Sequence, residues 1–481
     1  MKMRPNFLVA FFLPYSTALG SPLVSPGAGS PVPQTSNATV VNAPLTDWIK
    51  NNSTDLQWYT TISVGTPPQI FNVVIDTGSN LLLLPQSNCS DCAPEQRKFN
   101  PANSSTFSWS PNSSSSDSDP WFSTGVDTIP FAEAQTARCN WAVDDVSMQG
   151  LTASQFPFHL CYEEANVLST MPGIDGVLGL SLNGSGSFQW ALYEAGLLDS
   201  GIFGMYMPPG QATGGQLTLG GVDESKFEGN LTWVPLNQEL AAGHKQWVAD
   251  MQTIFVNGKQ LQIRNTDDSS TGNVPYPQSL VQVLDTGTSF IMAPDKATAA
   301  ALYAQISPKI FQIDPVGTWG CSCRDMDAIV ESGVELSFLL GYDDEGQQLN
   351  LTLPSSVFNL GPYPDNPELC QAVVNDWSDG VFYNGTIGLW ELGSPLLKSY
   401  YTAWDGLNLQ MGFAALKSTR SAVSSGPVSE CKHQSTRRQT LDQSLSTEQR
   451  DDLDERLLDE RQLEPANLGL GGALMMIDKP K

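Results

Sequence analysis

Residues 73–85 read VVIDTGSNLLLLP, which places an ionisable side chain, Asp76, in the middle of a run with the character of a buried strand. A lone carboxylate inside an apolar interior is so unfavourable that it must be hydrogen-bonded, paired or neutralised by a shifted pKa. The chain does this twice: VQVLDTGTSFIMAP at 281–294 repeats the pattern around Asp285. Each copy has apolar residues, then D-T-G, a hydroxyl residue three after the Asp (Ser79, Thr288) and a proline nine after it (Pro85, Pro294). About a hundred residues later each is followed by an apolar segment that closes on glycine, DGVLGL at 175–180 with Gly179 and IGLWELG at 387–393 with Gly393. A duplicated pattern of this kind implies two homologous lobes.

One D-T-G is a weak signal, because an Asp can simply cap its own turn. Two copies with matching flanks imply chemistry. Gly78 and Gly287 let the backbone turn beside the carboxylate, Ser79 and Thr288 can donate hydrogen bonds to it, and Thr77 and Thr286 complete each support. If the lobes bring the two aspartates together, carboxylates about 4 Å apart repel by roughly 4 kcal/mol at an effective dielectric near 20, which separates their ionisations by about three pKa units. One proton is then shared over a broad acidic range. The ionised member can take a proton from a water while the protonated member donates to a carbonyl oxygen. Such a pair needs no cofactor and no metal.

Short runs rich in Val, Ile, Thr and Phe, punctuated by Gly, Asn, Ser and Pro, fill the sequence from residue 56 to 413, so the body is read as mainly β. At 481 residues with 40% hydrophobic content the chain can fill a large core. The expected organisation is a signal peptide at 1–20, a Pro/Ser-rich leader or short pro-segment at 21–50, an N-terminal lobe at 51–222, a C-terminal lobe at 223–416 and a charged, disordered tail at 417–481.

The first 20 residues carry Lys2 and Arg4, an apolar stretch from Phe7 to Leu13, and small residues at Ala18 and Gly20, the pattern of a secretory signal. That stretch is shorter than the roughly 20 apolar residues a spanning helix needs, so no membrane span is expected. Ten N-x-[ST] sequons between Asn37 and Asn384 fit a secreted glycoprotein. In that setting the eight cysteines read as disulfides: Cys89 with Cys92, Cys139 with Cys161, and Cys370 with either Cys321 or Cys323, leaving Cys431 open. Cys89 and Cys92 form a lone CxxC and the three histidines are scattered, which does not suit zinc.

The formal charge is −26. The tail from 417 holds 10 basic and 11 acidic residues, and with Lys2 and Arg4 set aside the body keeps 12 basic against 39 acidic. A body so acidic is unsuited to nucleic acid or anionic membrane and suits an acidic medium, where carboxylates protonate and self-repulsion falls.

The segments YTTISVGTPPQ, VVIDTGSN, KFNPANSSTF, DGVLGL, VLDTGTSF and LGSPLLKSYYTAWD together resemble the pepsin-like aspartic endopeptidases over residues 56–413. The resemblance implies a bilobal β fold with a long cleft for an extended peptide or protein substrate, a monomer, and Asp76 and Asp285 as catalytic dyad. Three departures stand out. Leu83 occupies the position where the family has a tryptophan bonded to a flap tyrosine, and counting back from DDV at 144–146 puts Ala132 at the tyrosine position, with Phe131 or Phe122 as a replacement that lacks the hydroxyl. Residues 21–49 contain no Lys or Arg, unlike the family's basic pro-segments, and the tail has no family counterpart. The expected activity is therefore acid endopeptidase, secreted; the alternative is a non-catalytic binding or inhibitory protein with a rebuilt flap. A two-carboxylate glycosidase fits less well, since symmetric cradles do not give an acid and a nucleophile different environments.

Overall fold

The computed structural model describes residues 40–50, 54–110, 126–130, 136–164, 168, 171–182, 187–264, 273–275, 280–341, 348–377, 382–383 and 387–417. The proposed signal peptide, most of the leader, the tail from residue 418 on, Cys431 included, and the flap candidates Phe122, Phe131 and Ala132 lie outside these residues.

The fold is mainly β and bilobal, as expected. Among the described residues one sheet has 14 strands and a second has nine. The nine-stranded sheet is built wholly from residues 248–392, whereas the larger sheet draws on both ends of the chain. Strand Ile202–Tyr206 pairs with Tyr400–Asp405, and Gln410–Leu416 then pairs with Tyr400–Asp405 and Phe227–Pro235. The last strands of the body thereby join the two halves by backbone hydrogen bonds. Their contact is apolar as well, with Phe203 stacked on Trp404 and edge-on to Trp247.

The last part of the 21–50 segment is built into the body. Val41–Lys50 is a strand of the large sheet, antiparallel to Thr213–Leu219 on one side and to Thr54–Val64 on the other. Ala43, Leu45 and Asp47 alternate inward, so the segment obeys the two-residue period of a half-buried strand despite its proline.

Both D-T-G copies sit on the same local topology. Gln69–Asp76 runs parallel to Gly176–Gly179, which is antiparallel to Leu82–Pro85. In the second half Leu280–Leu284 runs parallel to Ile387–Leu392, which is antiparallel to Ile291–Ala293. The chain must pass between strands at each glycine: a Cβ on Gly179 would lie 2.4 Å from the Ser79 carbonyl oxygen, and one on Gly393 would lie 2.1 Å from that of Phe290. That is why both apolar segments end on glycine.

Val73, Ile75, Leu82, Leu84 and Leu178 enter the main core, together with Leu284, Ile291, Trp390 and Leu392 from the second half. Disulfides join Cys89 to Cys92, Cys139 to Cys161 and Cys323 to Cys370, which resolves the choice at 321/323 and leaves Cys321 as a buried thiol. No helix among the described residues is long and apolar enough to cross a membrane.

Candidate active site

Asp76 ends its strand, and the turn that follows wraps its side chain. The Gly78 N–H donates to Asp76 Oδ1 at 2.8 Å, and the Ser79 hydroxyl donates to Oδ2 at 2.6 Å. Asp285 repeats the arrangement, accepting from the Gly287 N–H at 2.7 Å and from the Thr288 hydroxyl at 2.8 Å. Both aspartates are fully buried. The sequence folds this way because only a glycine leaves room: a Cβ on Gly78 would lie 2.5 Å from Asp285 Cγ, and one on Gly287 would lie 2.5 Å from Asp76 Oδ1.

Those two close approaches show that the cradles face each other. The Gly78 N–H reaches Oδ1 of both carboxyls, at 2.8 Å for Asp76 and 3.0 Å for Asp285. Residues 209 apart in sequence thus bring their carboxyl groups to one donor.

Thr77 and Thr286 lock the two turns to one another. The Thr77 hydroxyl donates to the Leu284 carbonyl at 3.0 Å and accepts the Thr286 N–H at 2.9 Å; the Thr286 hydroxyl donates to the Ile75 carbonyl at 2.8 Å and accepts the Thr77 N–H at 3.2 Å. Gln57, which sequence reasoning did not single out, adds a further tie. From the first half it donates to the Gly287 carbonyl at 2.6 Å and to the Ser289 hydroxyl at 3.0 Å.

Burial pushes the Asp76 carboxyl well above the usual carboxylate range, and the neighbouring charge and direct hydrogen bond of Asp285 push it further. Ser79 and the Gly78 N–H pull the other way, because they stabilise the anion. At acidic pH Asp76 therefore keeps its proton.

A third buried acid, Glu391, was missed from the sequence. It sits on Ile387–Leu392, in register with Val283, and shares the Thr288 hydroxyl with Asp285. Burial and then the Asp285 charge raise its pKa well above the usual glutamate value. The signal was present: an ionisable residue inside the apolar IGLWELG run is the same anomaly that marks Asp76.

Leu83, at the family's tryptophan position, is fully buried in an apolar cluster with Val74, Val177, Ile129, Cys139 and Cys161. The flanking hairpin, Val126–Pro130 against Thr136–Met148, carries Cys139, which is bonded to Cys161 on the next strand. Where the family pattern has a hydrogen-bonding ring, this chain has aliphatic packing against a disulfide. Cys89 and Cys92, the nearest thing to a metal-binding pair in the sequence, are consumed by their own disulfide.

A family model described as eukaryotic aspartyl protease matches residues 57–416. Among curated proteins, the chain is 28% identical to pepsin-2B of Gadus morhua over 376 residues, covering 77% of this chain and 99% of the relative. It is 27% identical to pepsin II-1 of Oryctolagus cuniculus over 372 residues (76% and 82%) and 26% identical to gastricsin of Homo sapiens over 370 residues (75% and 81%).

Proposed function

Since the chain belongs to the eukaryotic aspartyl protease family, we propose that it is an endopeptidase that hydrolyses peptide bonds in acid through Asp76 and Asp285. The observation that carries this reading is the single Gly78 N–H between the two buried carboxyls.

Asp76, driven to its neutral form by burial, donates its proton to the carbonyl oxygen of the scissile bond. The carboxylate of Asp285, held by Gly287, Thr288 and Gly78, takes a proton from a water as its oxygen attacks the carbonyl carbon. A neutral gem-diol results. Its collapse breaks the C–N bond as Asp285 gives its proton to the leaving nitrogen and Asp76 recovers the diol proton, so the pair ends as it began. The rigid cradles supply orientation without rearrangement.

The body's acidity supports an acidic working medium, and secretion is supported by the N-terminal pattern and the sequons. Asn88, Asn103, Asn230 and Asn350, the four sequon asparagines among the described residues, are all exposed. Secreted, glycosylated and acting on peptide or protein substrates is the reading that unites these features.

Leu83 favours one second reading, a non-catalytic binding protein, because the hydrogen-bonding side chain expected there is absent. Incubation with a denatured protein at pH 3–5, with and without pepstatin, separates the two. Cleavage blocked by the inhibitor supports the endopeptidase; no cleavage by a folded sample supports the binding protein.

A further inference from the structure

The two halves of the site are not equivalent, and the difference is one residue. Strand register makes Glu391 the counterpart of Val177: Val74 pairs with Val177 two residues before Asp76, and Val283 pairs with Glu391 two residues before Asp285. Val177 belongs to an apolar cluster, whereas Glu391 carries a carboxyl at full burial.

The Thr288 hydroxyl makes that carboxyl consequential. It contacts Asp285 Oδ2 at 2.8 Å and also Glu391 Oε1. A threonine hydroxyl has one proton, so it cannot donate to two carboxylates at once. One of the two acids must carry a hydrogen. Asp285 has two backbone N–H donors and suits the anion, while Glu391 has no backbone donor among the described residues, its Oε2 is buried with no hydrogen-bond partner, and its carboxyl's other hydrogen bond, to the Asp285 carboxyl, raises its pKa and itself requires a hydrogen on one of the two acids. The charged groups acting on Glu391 are Asp285 and, after it, Asp76. Leu280–Leu284 and Ile291–Ala293, which flank its strand, bear no ionisable side chain, and Tyr383 pairs at Ile387, the far end of the strand.

Taking Asp76 and Asp285 as the dyad, we infer that Glu391 is a positioning residue: a neutral acid that donates to Thr288 Oγ1, which in turn donates to Asp285, so that three carboxyls share two protons. The chain of hydrogen bonds fixes the direction of the Thr288 hydroxyl and hence the orientation of the Asp285 carboxylate. The first half has no equivalent, since Ser79 donates to Asp76 with Val177 behind it. The raised pKa of Glu391 agrees with the hydrogen-bond count.

Two variants of the full chain test this, Glu391→Gln and Glu391→Val. Gln keeps a donor for Thr288 and cannot ionise; Val copies the first half and removes the donor. Unfolding the wild type above the ordinary carboxylate range releases the Glu391 proton, so the pH dependence of urea stability in either variant should show about one fewer proton released. On a peptide substrate at pH 4, Gln should keep kcat within about twofold, while Val should lower it about ten- to a hundredfold with KM little changed, the loss of one hydrogen bond aimed at a charged acceptor. An unchanged proton count in Glu391→Gln overturns the neutral acid, and an unchanged kcat in a folded Glu391→Val overturns the positioning role. If Val does not fold, a Gln variant that loses far more than twofold in kcat contradicts the donor role. Should the wild type cleave nothing while the Gln proton count still drops, the dyad reading falls and the neutral Glu391 stands.

Discussion

The hydroxyl of Thr77 accepts the backbone N–H of Thr286 at 2.9 Å, and the hydroxyl of Thr286 accepts that of Thr77 at 3.2 Å. Each hydroxyl also donates to a carbonyl on the opposite strand, at Leu284 and Ile75. Four hydrogen bonds between two tripeptides, 75–77 and 284–286, thus hold both aspartates at a fixed separation, and both threonines are buried. Thr77→Val or Thr286→Val keeps the shape but strands one N–H and one carbonyl. Each should cost about 1–3 kcal/mol in urea unfolding, and the double variant should cost less than the sum, since both remove one network.

Gly78→Ala places its methyl 2.5 Å from Asp285 Cγ, against a side chain, whereas Gly179→Ala places its methyl 2.4 Å from the Ser79 carbonyl oxygen, against backbone. The first should fold and lose at least about a hundredfold in kcat/KM, because displacing a reacting group by an ångström has that scale of effect. The second should lower the yield of folded protein before any rate is measured. Circular dichroism beside steady-state kinetics distinguishes them.

Stability should be greatest in acid. Burial pushes Glu164 up to about 8, against a weaker opposing hydrogen bond from Gln96, and Asp76 and Glu391 are raised as well. A raised folded pKa means that the native state holds the proton more tightly than the unfolded chain. The stabilisation is therefore complete below the unfolded value of 4.5 for Glu164 and is lost as pH rises through about 8. The urea midpoint should fall steadily from pH 4.5 to 8, and Glu164→Gln should flatten that fall.

The Cys139–Cys161 bridge closes a loop with a sequence separation of 22 beside Leu83. Replacing both cysteines by serine should lower unfolding free energy by about 3 kcal/mol, the cost of freeing a loop of that size. Thermal denaturation of the variant against the wild type reads it directly.

What could be read from the sequence depended on whether the cause was local. Asp76 and Asp285 were legible because each cradle is a contiguous tetrapeptide whose glycine and hydroxyl have fixed jobs, and the duplication removed the ambiguity of a single D-T-G. Gln57 was not legible, since its role arises from Gly287 and Ser289, more than 200 residues away, and a lone glutamine in a strand carries no mark of that. Val41–Lys50 was hidden by composition: a proline-bearing stretch beside a Pro/Ser-rich segment looked like leader, although Ala43, Leu45 and Asp47 already alternated. Glu391 is a single acid in the apolar IGLWELG run, and its role arises from Val283 and Thr288, more than 100 residues away in sequence, so the run alone does not reveal it. The partner of Cys370 needed coordinates: Cys321 lies opposite Cys370 in the antiparallel ladder, yet the bond is made by Cys323, the first residue of the helix Cys323–Glu331 that follows the strand.

The most direct test compares the wild type with Asp285→Asn on a denatured protein at pH 4, with urea midpoints measured on both. The dyad predicts that the variant folds and that its cleavage rate falls by about 10²–10⁴-fold, the contribution of a positioned acid or base. Cleavage by folded Asp285→Asn at the wild-type rate would contradict it.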